Sequence, residues 1–297
     1  MNVLQQTMAT FPDISEEVWK QKIEKDLKGK SFNDLILHSA EGIEVMPFYT
    51  KETISNQRLL TTPFRNGDCK NAVYYAVNNP AETNNQALRD LQYGIDALLF
   101  FADDISINEK NGISENIDKS AVELIYLNTE NCISIPHQHS CTDALVVAIK
   151  KLTEADIFAD KTMYFKFSSS QNYFFEIAKY RAFRWLIARI QEVQHLPFDY
   201  RIIVQLETGK TDDDFIYNEI LRNTTATMAA VLGGADYVIT HPYILNDENA
   251  KRIAINTMHI LKYESHFTKL PDTGKGSYYI EYLSYHMAKN VWDKFQQ

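Results

Sequence analysis

Apolar positions along the 297-residue chain follow two rhythms that take turns. Short, solid runs rich in β-branched and aromatic residues at 72–77, 96–101, 121–127, 132–136, 162–167, 202–206 and 236–239 read as strands. Between them lie longer stretches whose apolar residues recur three and four apart, at 81–93, 143–152, 173–193 and 218–233, and these read as helices. The unit at 218–243 is the best defined. Ile220, Leu221, Thr224, Thr227, Met228 and Val231 make one apolar or small helical face, and Ala226, Ala229 and Ala230 permit close packing. Gly233-Gly234 stop the helix, because glycine takes the left-handed cap without steric cost. Tyr237-Val238-Ile239 then form a strand that ends on Thr240-His241-Pro242.

Strands alternating with helices imply a parallel sheet wrapped by helices. Seven or eight strands in roughly 220 residues fit a (β/α)8 barrel with one weak or distorted unit, and a doubly wound open sheet is the rival. The first 68 residues have a different rhythm. Asp13 and Glu16 resemble a capping box for a helix that runs to about Lys28 and stops at Gly29, with Trp19, Ile23 and Leu27 on one face. Residues 32–38 and 43–49, around Glu41-Gly42, read as a β-hairpin. The expected organisation is an N-terminal helix-and-hairpin extension over 1–68 and a barrel over 69–297. The extension either covers one end of the barrel or embraces a partner subunit.

Composition narrows the function. Hydrophobic residues make up 45% of the chain, enough for a sizeable core, and the net charge of −9 without a basic run weighs against nucleic acid as a partner. An anionic substrate would need a locally basic pocket against that field. Cys69, Cys132 and Cys141 form no CxxC pair and suggest no disulfide framework, which fits a reducing cytoplasm. No secretory signal opens the chain and no uncharged apolar run approaches about 18 residues, so a soluble protein without a membrane partner is expected.

Familiar catalytic motifs are missing: no GxGxxG, no complete P-loop, no HExxH and no GxSxG. GKTDDD at 209–214 lacks the upstream glycine of a Walker motif and reads as a loop. His137 and His139, two apart beside Cys132 and Cys141, could belong to a metal site or simply to a strand-end loop; no third ligand has convincing spacing, and no metal is assigned. Ser168 to Asn172 could cap the next helix or hold an anion. Arg222, near the start of its helix, suits an anion or an ordinary ion pair. His241, at a strand end, could donate to a substrate carbonyl or satisfy loop backbone. No residue is assigned a catalytic role.

Several stretches together carry a family resemblance. LRNTTATMAAVLGGADYVITHPY from Leu221, FFEIAKYRAFRWLIARIQ at 174–191, and the run at 250–295 with Tyr263-Glu264-Ser265 and Gly276-Ser277-Tyr278-Tyr279-Ile280-Glu281 resemble, in order and spacing, the methylmalonyl-CoA mutase family. The match is dense over about 120 residues. Residues 19–30 and EGIEVMPFYT from Glu41 are similar to the opening of that family's small, or beta, subunit. The resemblance implies a (β/α)8 barrel. In the family's large subunit that barrel threads the CoA chain along its axis, and a separate cobalamin domain with a DxHxxG motif supports the radical interconversion of methylmalonyl-CoA and succinyl-CoA.

This sequence has no DxHxxG. It reads Leu221-Arg222-Asn223-Thr224-Thr225-Ala226-Thr227 where the catalytic type reads LRTHTQTSG, and Thr273-Gly274-Lys275-Gly276 departs from the proline-glycine-glycine run. These departures match the small subunit. The expectation is a non-catalytic heterodimer subunit that stabilises a large catalytic one. Adenosylcobalamin would be present in the assembled enzyme and not bound by this chain, and the partner interface would include Trp19, Ile23 and Leu27. The alternative is an autonomous barrel enzyme that holds a CoA ester or another anion at the strand ends with Gln205, Arg222 and His241.

Overall fold

A computed structural model describes residues 14–55, 68–155, 161–169, 172–207 and 216–297. Asp13, Ser170-Gln171 and the 209–214 loop lie outside the described residues. Helix α1 (Glu16–Asp26) leads to a 3-10 turn (Phe32–Leu35) and a two-residue ladder in which β1 (Leu37–His38) pairs antiparallel with β2 (Glu44–Val45). The hairpin is therefore shorter than the 32–38 and 43–49 arms expected from sequence. Ser31 and Asp34 form a reciprocal capping box that winds Phe32–Leu35 out of the extended conformation.

The remaining elements alternate: β3 (Lys70–Ala76), α2 (Pro80–Leu91), β4 (Ala97–Phe101), α3 (Ile107–Ile113) and β5 (Glu123–Leu127), then β6 (Cys132–Ile135), α4 (Cys141–Glu154), β7 (Met163–Ser168) and α5 (Tyr173–Gln194), then β8 (Tyr200–Gln205), α6 (Asn218–Gly233), β9 (Tyr237–Ile239), α7 (Glu248–His259) and α8 (Tyr278–Phe295). Strands β3 to β9 form one parallel sheet in the order β5-β4-β3-β9-β8-β7-β6.

This sheet curls into a barrel of the TIM type. Its two outermost strands, β5 and β6, are joined by residues 128–131 alone, a link that reaches at most about 18 Å. Six flat inter-strand gaps would need about 29 Å. Side chains from strands three places apart also meet inside. Tyr237 Oη donates to Glu123 Oε2 at 2.9 Å, and the Lys166 ammonium lies 4.2 Å from the centre of the Tyr74 ring. Asn131 closes the seam: its side chain donates to the Tyr126 carbonyl and its own carbonyl accepts from Tyr164 N. The distorted unit is thus β5–β6, two strands in succession with a turn where a helix would stand.

Alternation along each strand sorts the core into two layers. Ala72, Leu99, Ile125, Cys132, Ile203 and Ile239 face inward with Tyr74, Phe101, Tyr164 and Tyr237. Leu98, Phe100, Phe165, Phe167, Ile202, Val204 and Val238 face the helices. Helix α5 is the best buried of these helices and holds four buried charged residues. Arg181 donates to both oxygens of Asp272 at 3.1 Å, to Glu281 Oε1 at 3.0 Å and to Ser284 Oγ at 2.9 Å, joining α5 to α8. Arg184 donates to the Gly234 carbonyl and to Asp236 Oδ2, joining α5 to the α6–β9 turn. Glu176 accepts from Lys179 Nζ at 2.7 Å and Tyr180 Oη at 2.6 Å. Much of the FFEIAKYRAFR run is therefore structural: its charges are paired in place, as burial of a charge requires. Gly233 sits where α6 crosses α5, and a Cβ there would come within 2.8 Å of the Tyr180 ring.

Candidate functional site

In barrels of this kind function gathers at the C-terminal ends of the strands. Here that end is built from the inward positions of β3, β7 and β8 and the residues that follow β9. Lys166 is the inward residue between Tyr164 and Ser168 on β7. It stands beside Ser134 on β6 and Ile203 on β8 in the strand register. Its ammonium donates to Gln205 Oε1 at 3.2 Å and lies over the Tyr74 ring. No carboxylate pairs with it among the described residues. Burial holds its proton affinity below the usual lysine range, and the neighbouring Cys132 opposes that shift. The same burial pushes the Cys132 thiol up to about 11 and the Tyr74 hydroxyl up to about 12.

The residues singled out from sequence fall in three places. Gln205 ends β8 and is bonded to Lys166. His241 follows β9, its carbonyl accepting from Asn223 Nδ2 at 2.9 Å. Its Nδ1 is buried without a hydrogen-bond partner among the described residues, and burial lowers its proton affinity against the opposing pull of the Pro242 backbone. Arg222 lies on the exposed side of α6 and pairs with Glu219 at 2.6 Å, while its neighbour Asn223 is the residue that reaches the strand end. His137 pairs with Glu207 at 3.0 Å, and no group of three metal-ligating side chains occurs among the described residues. Within the 168–172 run, Asn172 is the N-cap residue of α5, and Ser140 caps the other helix at this end, α4, accepting from Asp143 N at 3.0 Å.

A polar cavity of ≈ 270 Å³ opens at the ends of β6 and β7, lined by Glu41, His137, Ser140, Asn172, Glu176 and Lys179 among others. Sequence reasoning missed its key residue. Glu41, 6% exposed, accepts from Cys141 N at 2.8 Å, Thr142 N at 2.7 Å and Thr142 Oγ1 at 2.8 Å. The hairpin turn thus places a carboxylate on the positive end of α4, where backbone N–H groups attract an anion. Asn290 on α8 donates to the Glu41 carbonyl, and Ile43 joins the main core, so this turn is pinned to the barrel. Lys166 was also missed, although the alternation of MYFKFS places a lysine on the side opposite the apolar Met163, Phe165 and Phe167.

The described part of α1 has no buried residue. Trp19 is 51% exposed and rests one edge on Phe48, with ring centres 6.2 Å apart. Ile23 and Leu27 are half-buried, and Ile14 and Val18 extend the exposed apolar surface beside Trp19.

Fold and site together define a TIM-type α/β barrel whose axis is crossed by its own side chains, with a hairpin docked at its strand ends. The chain belongs to the methylmalonyl-CoA mutase family, whose sequence profile matches residues 145–297. It is 26% identical over 388 aligned positions to the methylmalonyl-CoA mutase small subunit of Porphyromonas gingivalis, a match covering 96% of this chain and 63% of that relative. It is 33% identical over 168 positions to the probable methylmalonyl-CoA mutase small subunit of Mycobacterium tuberculosis H37Rv, covering 52% of this chain and 27% of the relative. A methylmalonyl-CoA mutase of Rhizobium meliloti is 32% identical over 158 positions, or 50% of this chain and 22% of the relative. The chain therefore matches less than two thirds of the length of each.

Proposed function

We propose that this chain is the small, non-catalytic subunit of an adenosylcobalamin-dependent methylmalonyl-CoA mutase and acts in the cytoplasm by stabilising a large catalytic subunit. The carrying observation is the crossed axis. The Tyr164 and Tyr237 rings lie 6.5 Å apart, Tyr237 reaches from β9 to Glu123 on β5, and Lys166 spans from β7 to Tyr74. A CoA chain threaded along the axis would have to displace these groups and leave polar atoms unpaired, at a cost of about 1–3 kcal/mol for each. The side chains present do not fit a through-barrel substrate, and no catalytic step is assigned to them. The cofactor belongs, in this reading, to the larger partner, and the chain divides into an arm (1–68) and a barrel (69–297). The names of the relatives, the exposed apolar surface of α1 around Val18 and Trp19, and the paired charges of α5 all suit a scaffold. Co-expression with a large mutase subunit, followed by size-exclusion chromatography and a turnover assay, tests it. The expected outcome is a stable one-to-one complex and no turnover by the isolated chain. Turnover by the isolated chain, or no complex at micromolar concentration, would reject the proposal.

A further inference from the structure

We propose that Lys166 is a reactive amine at the C-terminal end of the barrel interior that condenses with small neutral aldehydes or ketones to form an imine. The case rests first on placement. Lys166 is the sole charged residue among the inward positions of β7, and its neighbours across the interior are an aromatic ring and an amide. The titratable groups facing it are the Cys132 thiol from β6, the Tyr74 phenol from β3 and Tyr164 from its own strand; both Cys132 and Tyr74 are held in their neutral forms by burial. β8 contributes Gln205 and Ile203, neither of them charged. No carboxylate pairs with the ammonium among the described residues. The buried cations of α5, by contrast, each have a carboxylate partner.

An ammonium with no carboxylate partner among the described residues loses solvation on burial without regaining it from one of them, and this favours the neutral amine. A neutral lysine amine is a nucleophile, and desolvation is one of the established ways of activating it. Partial exposure of Lys166 leaves it open to a small reagent. In the step itself the Nζ lone pair attacks the carbonyl carbon as the C–O π pair moves to oxygen. The carbinolamine then loses water, taking both Nζ protons with the departing oxygen as the C=N bond forms. The reaction needs no oxidant or reductant. The Gln205 carbonyl oxygen accepts one N–H and so favours the ammonium over the free amine.

The test uses the full chain and propanal with sodium cyanoborohydride, which reduces the imine to a stable secondary amine. Peptide mapping at limiting aldehyde should find Lys166 labelled severalfold above exposed lysines such as Lys22 and Lys119. Lys166→Met should remove that one label while leaving the others and the far-UV circular dichroism unchanged. Gln205→Leu, which removes the acceptor that favours the ammonium, should raise the labelling of Lys166. A label spread evenly over the exposed lysines, or a Lys166 labelled less than they are, would overturn the proposal on the unaltered chain, whether or not the variants fold.

Discussion

Glu41 carries more of the structure than its place in a turn suggests. Its carboxylate is the partner of two buried backbone N–H groups of α4 and of the Thr142 hydroxyl. Glu41→Ala leaves these donors unsatisfied, and each buried unpaired group costs about 1–3 kcal/mol. The variant should unfold at clearly lower denaturant, whereas Glu44→Ala, in the exposed ladder, should be near neutral; urea titrations of the two side by side check this. His241 supports a second expectation. Burial keeps its imidazole neutral to a lower pH than in the unfolded chain, where its pKa is about 6.5. As pH falls below that value the unfolded state takes up a proton that the folded state refuses, so stability falls with falling pH. His241→Gln removes that contribution, and its unfolding midpoint should depend less on pH between about pH 7.5 and pH 5.5 than the parent's. At this scale the sequence was only partly legible. Gln205 and His241 were singled out because they stand at or just beyond strand ends, which is where the structure places them. Arg222 was singled out for its helical position, yet Glu219 one turn earlier takes its charge. The role of Glu41 depends on contacts a hundred residues away, which no local pattern displays.

Among the elements, α5 is the one against which others are set. It packs on α6 through Gly233 and on α8 through Arg181, and both contacts need an exact partner. Arg181 is fully buried between Asp272, Glu281 and Ser284. Truncating one member of such a group strands the others: Arg181→Ala should cost about 3–5 kcal/mol. Arg181→Met combined with Asp272→Leu and Glu281→Leu should recover part of it, because a buried ionic cluster and an apolar one of similar volume differ far less than either does from a broken cluster. Chemical denaturation of the single and triple variants checks both. The strands and the helices α1, α2, α4, α5 and α6 were legible in the apolar rhythm, with ends marked by Gly94, Gly234 and Gly29, all at positive φ. Helices α7 and α8 fall largely in the 250–295 run, whose reading rested on resemblance alone. Helix α3 escaped notice because its seven residues, INEKNGI, make too few turns to show a period. The hairpin was overread because strand-type residues at 32–35 yield to a capping box.

At the scale of the whole molecule, barrel closure and the arm decide what this protein can do. The barrel was expected from the number and rhythm of the strands, but what closes it, side chains meeting across the axis and the tight β5–β6 turn, depends on contacts that no local pattern displays. The arm is docked at Glu41 and through Tyr49, whose ring packs 4.9 Å from Tyr279 and 5.0 Å from Tyr282 on α8. Upstream of that point contacts thin out. Helix α1 touches its own chain through Trp19 on Phe48, Glu16 on Thr50 and Lys20 on the Phe32 ring, and buries none of its described residues. An amphipathic helix stabilised by so little packing is marginal on its own and gains from a surface that covers its apolar edge. The reading as a small subunit supplies that surface in the large subunit. Deleting residues 1–30 removes α1 but leaves Glu41, Ile43 and Tyr49 in place. The deletion should therefore weaken complex formation far more than it lowers the melting temperature. Trp19→Ala should cost roughly 2–4 kcal/mol of association if the ring is a central anchor of that interface. A pull-down with the large subunit and a thermal melt of each variant, run together, separate the outcomes. If the melt collapses while binding per folded molecule is unchanged, α1 serves its own barrel and the assignment of Trp19, Ile23 and Leu27 to the partner interface is wrong.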